Sequence, residues 1–190
     1  MLRVSVFIDA NNFKNRVHEA ISFRPDINFE FKKFINHIVG PKRDLVCATY
    51  YTSLPENQYL SQQPYKSEQI LINTLKKSKD CRVESGFYDV EHSVEKGTDI
   101  NLATDMLVGA FNNSYDVAII VSADQDYKKV INTIKSTGKV VELALPERAR
   151  AGELVKCTDY FSRLSDSDLK SFWKPGTGPL QTLQPVQPNT

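Results

Sequence analysis

Five aspartates carry the chemistry within reach of this sequence. Asp9 closes the apolar run RVSVFI, and Asp124 follows a second such run, DVAIIV, within VSADQD. Asp126 stands two residues further on, and Asp99 and Asp105 lie six residues apart in KGTDINLATD. In open parallel sheets, ligands bind beyond the carboxyl ends of the strands. If the two apolar runs are neighbouring strands, Asp9 and Asp124 converge there. Carboxylates within about 4–6 Å of one another repel unless a cation neutralises them. Hard oxygen ligands in this number suit Mg²⁺ or Mn²⁺, not zinc or copper. Each aspartate also has an ordinary structural role open to it. Asp99 can cap a helix, Asp126 can sit in a first helical turn, and Asp105 can be a plain exposed helix residue. Asp9 is the hardest to explain that way, because a carboxylate closing an apolar strand is costly unless paired or metal-bound.

Strands and helices in alternation must position these groups. Short β-branched runs predict strands over 3–8, 44–52, 82–90 (interrupted at Gly86), 116–121 and 139–145. Helical spacing predicts helices around 15–23, stopped by Pro25, and over 27–39, 65–78, 99–111 and 126–136. In the third of these, Ile70, Leu71, Thr74 and Leu75 form the apolar side. The polar stretch 53–63, with Pro55, is expected to be a loop. Alternation of this kind makes a mostly parallel sheet covered on both faces, with right-handed crossovers. The expected fold class is therefore α/β, a three-layer sandwich around a central mostly parallel sheet.

The chain has 190 residues, a length suited to one domain, with 41% hydrophobic and 25% charged residues. That balance excludes wholesale disorder, and no apolar run approaches the ~20 residues that span a bilayer. The first twelve residues have no long apolar stretch of a secretory signal. Cys47, Cys81 and Cys157 are odd in number and lack CxxC spacing, so they read as reduced thiols of a cytoplasmic protein. The three histidines have no zinc-ligand spacing, and no GxSxG, P-loop or GxGxxG occurs. The domain is placed at 1–166. The remainder, 167–190, ends from residue 175 in a stretch with four prolines, two glycines and no charge, expected to be a flexible tail.

FIDANN, KGTDINLATDM and VSADQDY, in this order and at these separations, resemble the NYN family of PIN-like ribonucleases, in particular its bacterial LabA-like branch. The likeness runs from about Arg3 to Leu164 and includes the closing ELVKCTDYFSRL. It implies a PIN-like fold and metal-site carboxylates at Asp9, Asp99 and Asp124, with Asp105 and Asp126 close by. It also implies phosphodiester hydrolysis with Mg²⁺ or Mn²⁺. On this footing Asp9, Asp99, Asp124 and Asp126 are the expected catalytic residues, and Asp9, Asp99, Asp124 and Asp105 the expected metal ligands. Asn12 matches the family's asparagine three residues after the first aspartate, and Ser122 has a hydroxyl placed for similar contacts with carboxylate or phosphate. Where the family often has glycine before the third-motif aspartate, this chain has Ala123.

Single-stranded RNA, the expected partner, needs cations to hold its phosphates. Lys96, Arg148 and Arg150 are the best placed, with Lys128, Lys129 and the group Lys76, Lys77 and Lys79 as further candidates. Lysine runs are more often plain solvated faces. Tyr50, Tyr51 and Tyr65 are candidates for stacking on bases, against the commoner role of half-buried packing. A membrane partner is not expected, and a symmetric homodimer is the default oligomer. An aspartate-nucleophile phosphatase would want a general acid two residues after Asp9, where Asn11 stands. The alternative of a different class is a catalytically silent NYN-like module that binds RNA or a protein partner as a regulator.

Overall fold

The computed structural model describes residues 1–55, 65–89 and 94–174. Its strands are β1 (Leu2–Asp9), β2 (Arg43–Pro55), β3 (Cys81–Asp89), β4 (Val94–Lys96), β5 (Val117–Val121), β6 (Val140–Pro146) and β7 (Tyr160–Leu164). They form one sheet in the order β4-β3-β2-β1-β5-β6-β7. All neighbours are parallel except the short edge strand β4, which runs antiparallel to β3.

Alternation along the strands sorts side chains into two cores. Val4, Val6 and Ile8 of β1, with Val117, Ile119 and Val121 of β5, face one layer. That layer holds α1 (Ala10–Ile21), α2 (Phe31–Val39), α3 (Tyr65–Lys76) and α7 (Asp166–Ser171). Phe7, Ala118 and Ile120 face the other, made by α4 (Thr98–Phe111), α5 (Lys128–Ser136) and α6 (Gly152–Cys157). The result is a three-layer α/β sandwich. The chain starts in the middle of the sheet, builds outward through β2 and β3, then returns to add β5 on the far side of β1. The switch point lies between β1 and β5, where sheets of this kind open a crevice.

Several elements depart from expectation for local reasons. Helix α1 begins at Ala10 rather than near 15, because Asp9 caps it, accepting the Asn12 N–H at 3.1 Å. It ends at Ser22 in the left-handed region, φ 61°, ahead of Pro25. Helix α2 begins at Phe31, not 27; Phe29 is instead bridged to Trp173 and packed edge-on to its ring. In α3, Leu71, Ile72 and Leu75 face inward and Ile70 is exposed. Strand β3 runs through Gly86 without a break. A Cβ there would stand 2.5 Å from Thr98 Oγ1 and 2.6 Å from the Lys96 carbonyl, so glycine lets the β4–α4 junction press onto β3. Residues 125–127 form a 3₁₀ turn, and α5 starts at Lys128.

The 53–63 stretch is strand as far as Pro55; 56–63, residue 90 and His92 lie outside the described residues, as does the tail from 175. Beyond the boundary expected at 166, Leu169, Phe172 and Trp173 are buried in the first core. Among the described residues no helix is long and apolar enough to cross a membrane, and all three cysteines are free. Burial pushes the Cys81 thiol up to about 12.

Candidate functional site

Strand register brings the first two groups together. Ile8 pairs with Val121, so the next residues, Asp9 and Ser122, leave the sheet side by side on the face of Phe7 and Ile120. Ser122 is fully buried and donates its hydroxyl to Asp9 Oδ2 at 2.9 Å. Asp9 Oδ1 takes the Asn12 N–H, and the carboxylate is 6% exposed. A buried anion at a helix N-terminus with two such donors is well stabilised. Asn12 Oδ1 accepts the Ala123 N–H at 2.9 Å, and Ser122 Oγ accepts the Asp124 N–H at 3.2 Å. These bonds stitch the start of α1 to the loop after β5. Ala123 is outside the left-handed region, so its alanine brings no backbone strain.

Asp124 Oδ1 accepts the Asp126 N–H at 3.0 Å and caps the 3₁₀ turn. That turn directs Tyr127 inward, 2% exposed. Its phenol donates to Asp99 Oδ1 at 3.1 Å. Asp99 comes from the first turn of α4, which Gly97 opens with φ 83°. Burial, together with the charges of Asp9, Asp99 and Asp124, holds the Tyr127 phenol well above the ordinary tyrosine range. One phenol thus feels carboxylates from three separate elements. The convergence stops short of a cage: among the described residues, no three His, Cys, Asp or Glu side chains are grouped so as to hold a metal ion. The oxygen donors on offer are Asp9, Asp99 and Asp124, with exposed Asp126 beside them.

Other expected site residues are placed differently. Asp105 accepts the Tyr51 hydroxyl at 2.8 Å and pairs with Arg82 at 3.0 Å. Ser122 has no exposed surface with which to meet a substrate; its hydroxyl serves Asp9. Tyr50 and Tyr51 are fully buried, which removes them as base-stacking platforms, and the side chain of Tyr65 lies outside the described residues. Lys76 and Lys79 lie by Cys81, at the opposite, amino edge of the sheet. Lys96 is exposed, 3.8 Å from Asp89, and Arg148 pairs with Asp166 at 3.1 Å. Arg150 is exposed, as is Lys129 in the first turn of α5, while Lys128 is half-buried.

Two residues that matter here were not singled out in the sequence. Tyr127 holds Asp99. Gln125 Nε2 donates to the Ala123 and Ala151 carbonyls at 3.3 and 2.6 Å, tying the loop of Arg148 and Arg150 to the loop of Asp124. Both sit inside VSADQDY, where the acidic residues draw attention from their neighbours. An aromatic one turn past a buried strand is the feature that could have marked Tyr127.

The NYN domain family matches this chain over residues 3–165. A crystallised protein of unknown function from Vibrio parahaemolyticus is similar in fold, with a TM-score of 0.66 at 19% identity. The match covers 87% of this chain and 94% of that one, and at that identity it speaks for the fold alone. Among curated proteins nothing matches.

Proposed function

The chain belongs to the NYN domain family, and from that membership we propose that it is a divalent-metal-dependent ribonuclease acting on single-stranded RNA. The family points to the PIN-like nucleases. The observation that supports the reading is the hydrogen-bonded loop at the switch point: the Ser122 hydroxyl joins Asp9 to the Asp124 N–H, and the Tyr127 phenol of the same loop bonds Asp99. The donor chemistry fits the group. Mg²⁺ keeps several waters and is commonly held through only one or two carboxylates, so a closed protein cage is not required. Asp9, Asp99 and Asp124 are the candidates, of which one or two would hold Mg²⁺ or Mn²⁺ directly, with water in its remaining positions. Bound there, such an ion supplies positive charge against the scissile phosphate and makes water acidic enough to act as nucleophile.

The chain's own residues do the rest. Asn12 N–H and the Ser122 hydroxyl keep Asp9 aimed, and Tyr127 does the same for Asp99. Asp126, exposed beside Asp124, would accept a proton from the attacking water. Asn12 spends its carboxamide oxygen on Ala123 and can turn its NH₂ to a phosphate oxygen. Lys96, Arg148 and Arg150 supply cations for the flanking phosphates. The free thiols fit the cytoplasm, the compartment assigned here.

The test is cleavage of single-stranded RNA with Mg²⁺ or Mn²⁺, wild type beside Asp9→Asn. Cleavage that needs the ion and falls to background in the variant is expected. No cleavage with either ion, or cleavage undiminished in Asp9→Asn, overturns the reading. RNA bound but left whole would identify the silent RNA-binding module instead.

A further inference from the structure

Helix α4 turns Leu102, Met106 and Ala110 to the sheet and leaves an apolar stripe on its outer side. Ile100, Val108 and Phe111 are 71, 50 and 66% exposed, with half-buried Leu107 among them. Ile100, Thr104, Leu107 and Phe111 follow at steps of four, three and four residues, the spacing of a seam that packs against a second helix. Among the described residues no element covers it. We propose that α4 pairs antiparallel with α4 of a second copy of this chain, giving a weak two-fold dimer.

Charge, symmetry and area select that occupant. No Lys or Arg stands between Lys96 and Lys128, so the seam offers nothing to RNA phosphates or to an anionic membrane. The seam also complements itself. In an antiparallel pair, a two-fold axis passing between Thr104 and Leu107 sets Ile100 against the partner's Phe111 and Thr104 against the partner's Leu107. No charge meets its like in these layers. The positive N-terminal end of each helix then lies beside the negative C-terminal end of the other. A parallel pair would stack each residue on its own copy and align the two dipoles. Whole side chains of this size offer roughly 150–250 Å², so the stripe leaves roughly 400 Å² per copy to bury, about half of the ~800 Å² per partner in a standard complex. Apolar patches of that size are commonly interaction sites, and an interface at that end of the range is reversible. Ile100 directly follows Asp99, so the seam borders the carboxylate cluster without drawing on it, and the pairing stands apart from the ribonuclease reading.

The test is sedimentation equilibrium of the full chain between about 5 and 500 µM, the range a small interface calls for. The average mass should climb from 21.5 kDa toward twice that value. Ile100→Lys and Phe111→Glu each replace an exposed side chain, so each should keep the wild-type Tm. Each should raise the dimer Kd at least about tenfold by placing an unpaired charge in an apolar layer. Mixed one to one, the two variants should pair with each other at least about fivefold more tightly than either pairs with itself. One end of that heterodimer joins the new lysine to the new glutamate, and the other keeps the wild-type Ile100–Phe111 contact. Thr104→Arg, at the centre of the seam, stands in for a variant that fails to fold and should likewise abolish the dimer. A monomer at every concentration, a wild-type Kd in any folded variant, or no recovery in the mixture overturns the proposal. The first of these outcomes would leave the seam to a helix of a different protein.

Discussion

At the residue scale, Asp9 and Tyr127 each join a structural duty to the chemistry proposed for the cluster, and the two can be separated. Asp9 caps α1 and receives the Ser122 hydroxyl. Asp9→Ala removes the cap, at about 1 kcal/mol, and leaves a fully buried hydroxyl without its acceptor, at about 1–3 kcal/mol more. Asp9→Asn keeps an oxygen for the cap and should unfold at nearly the wild-type denaturant midpoint. Equal losses for the two variants would show that the charge itself holds the fold. Tyr127→Phe keeps the packed ring and deletes one hydrogen bond to an exposed carboxylate. Its stability should fall by no more than about 1 kcal/mol. The Mn²⁺ concentration for half-maximal thermal stabilisation should rise, because Asp99 loses its tether. An unchanged Mn²⁺ midpoint would make the phenol a packing group only. Asp9 and Asp124 stand out in the sequence because charge following an apolar run is conspicuous, and Asp99 because it stands where a helical stretch begins. Tyr127 does not, since a buried tyrosine looks like any core aromatic until its hydroxyl's partner is known. The partners of Asp105 were hidden for the complementary reason: Tyr51 and Arg82 lie 54 and 23 residues away.

At the element scale, the strands were readable because β-branched runs buried on both faces leave few alternatives, as in β5, where all five residues are buried. What local patterning could not supply was set by tertiary contact. Helix α1 starts well before its expected position because Asp9, conspicuous as a ligand, is also its cap. The apparent helix at 27–30 yields to Phe29, which is worth more wedged among Phe13, Phe34, Phe172 and Trp173 than on a helix face. Strand β4 has three residues and exists only because β3 is there to pair with. Gly86 is the hinge of that arrangement. Gly86→Ala drives a methyl into the Lys96 carbonyl and Thr98 Oγ1, and the carbonyl, being backbone, cannot swing away. A loss of about 1–3 kcal/mol is expected. The junction that moves carries Asp99, so ion binding should weaken with it, measured as a smaller Mn²⁺-induced rise in Tm. Wild-type Tm and ion response together would show that the junction is slack.

At the scale of the whole molecule, the switch point is braced at its opposite end by Arg3 of β1, which grips Asp116 just before β5. Hydrogen bonds from the Arg3 side chain and N–H bring the Asp116 carboxyl down to about 2, below the ~3.9 of an unfolded chain. The stability this contributes is present above about pH 4 and lost as pH falls through about 2. The group is solvent-accessible, so the effect is small; Asp116→Asn should lower stability slightly at neutral pH, flatten the acid limb between those values and leave stability below about pH 2 nearly unchanged. The chain's closing segment contributes far more. Leu169, Phe172 and Trp173 are buried at 0, 1 and 7% exposure, and the Glu30 N–H bonds the Phe172 carbonyl at 2.7 Å. The Lys174 N–H likewise bonds the Asn28 carbonyl at 3.0 Å. Burial of such side chains is worth about 1.5–3 kcal/mol each, a large share of the roughly 5–15 kcal/mol that holds a domain folded. Residues 175–190 carry no charge for phosphate and little apolar content for a core. Truncation after Lys174 should therefore leave Tm and ion-dependent turnover nearly unchanged, whereas truncation after Ser165 should cost about 5 kcal/mol or more in chemical denaturation. If the deeper cut proved harmless, the aromatic cluster around Phe29 would be dispensable; if the chain ending at Lys174 lost stability, residues beyond it would have to pack on the domain.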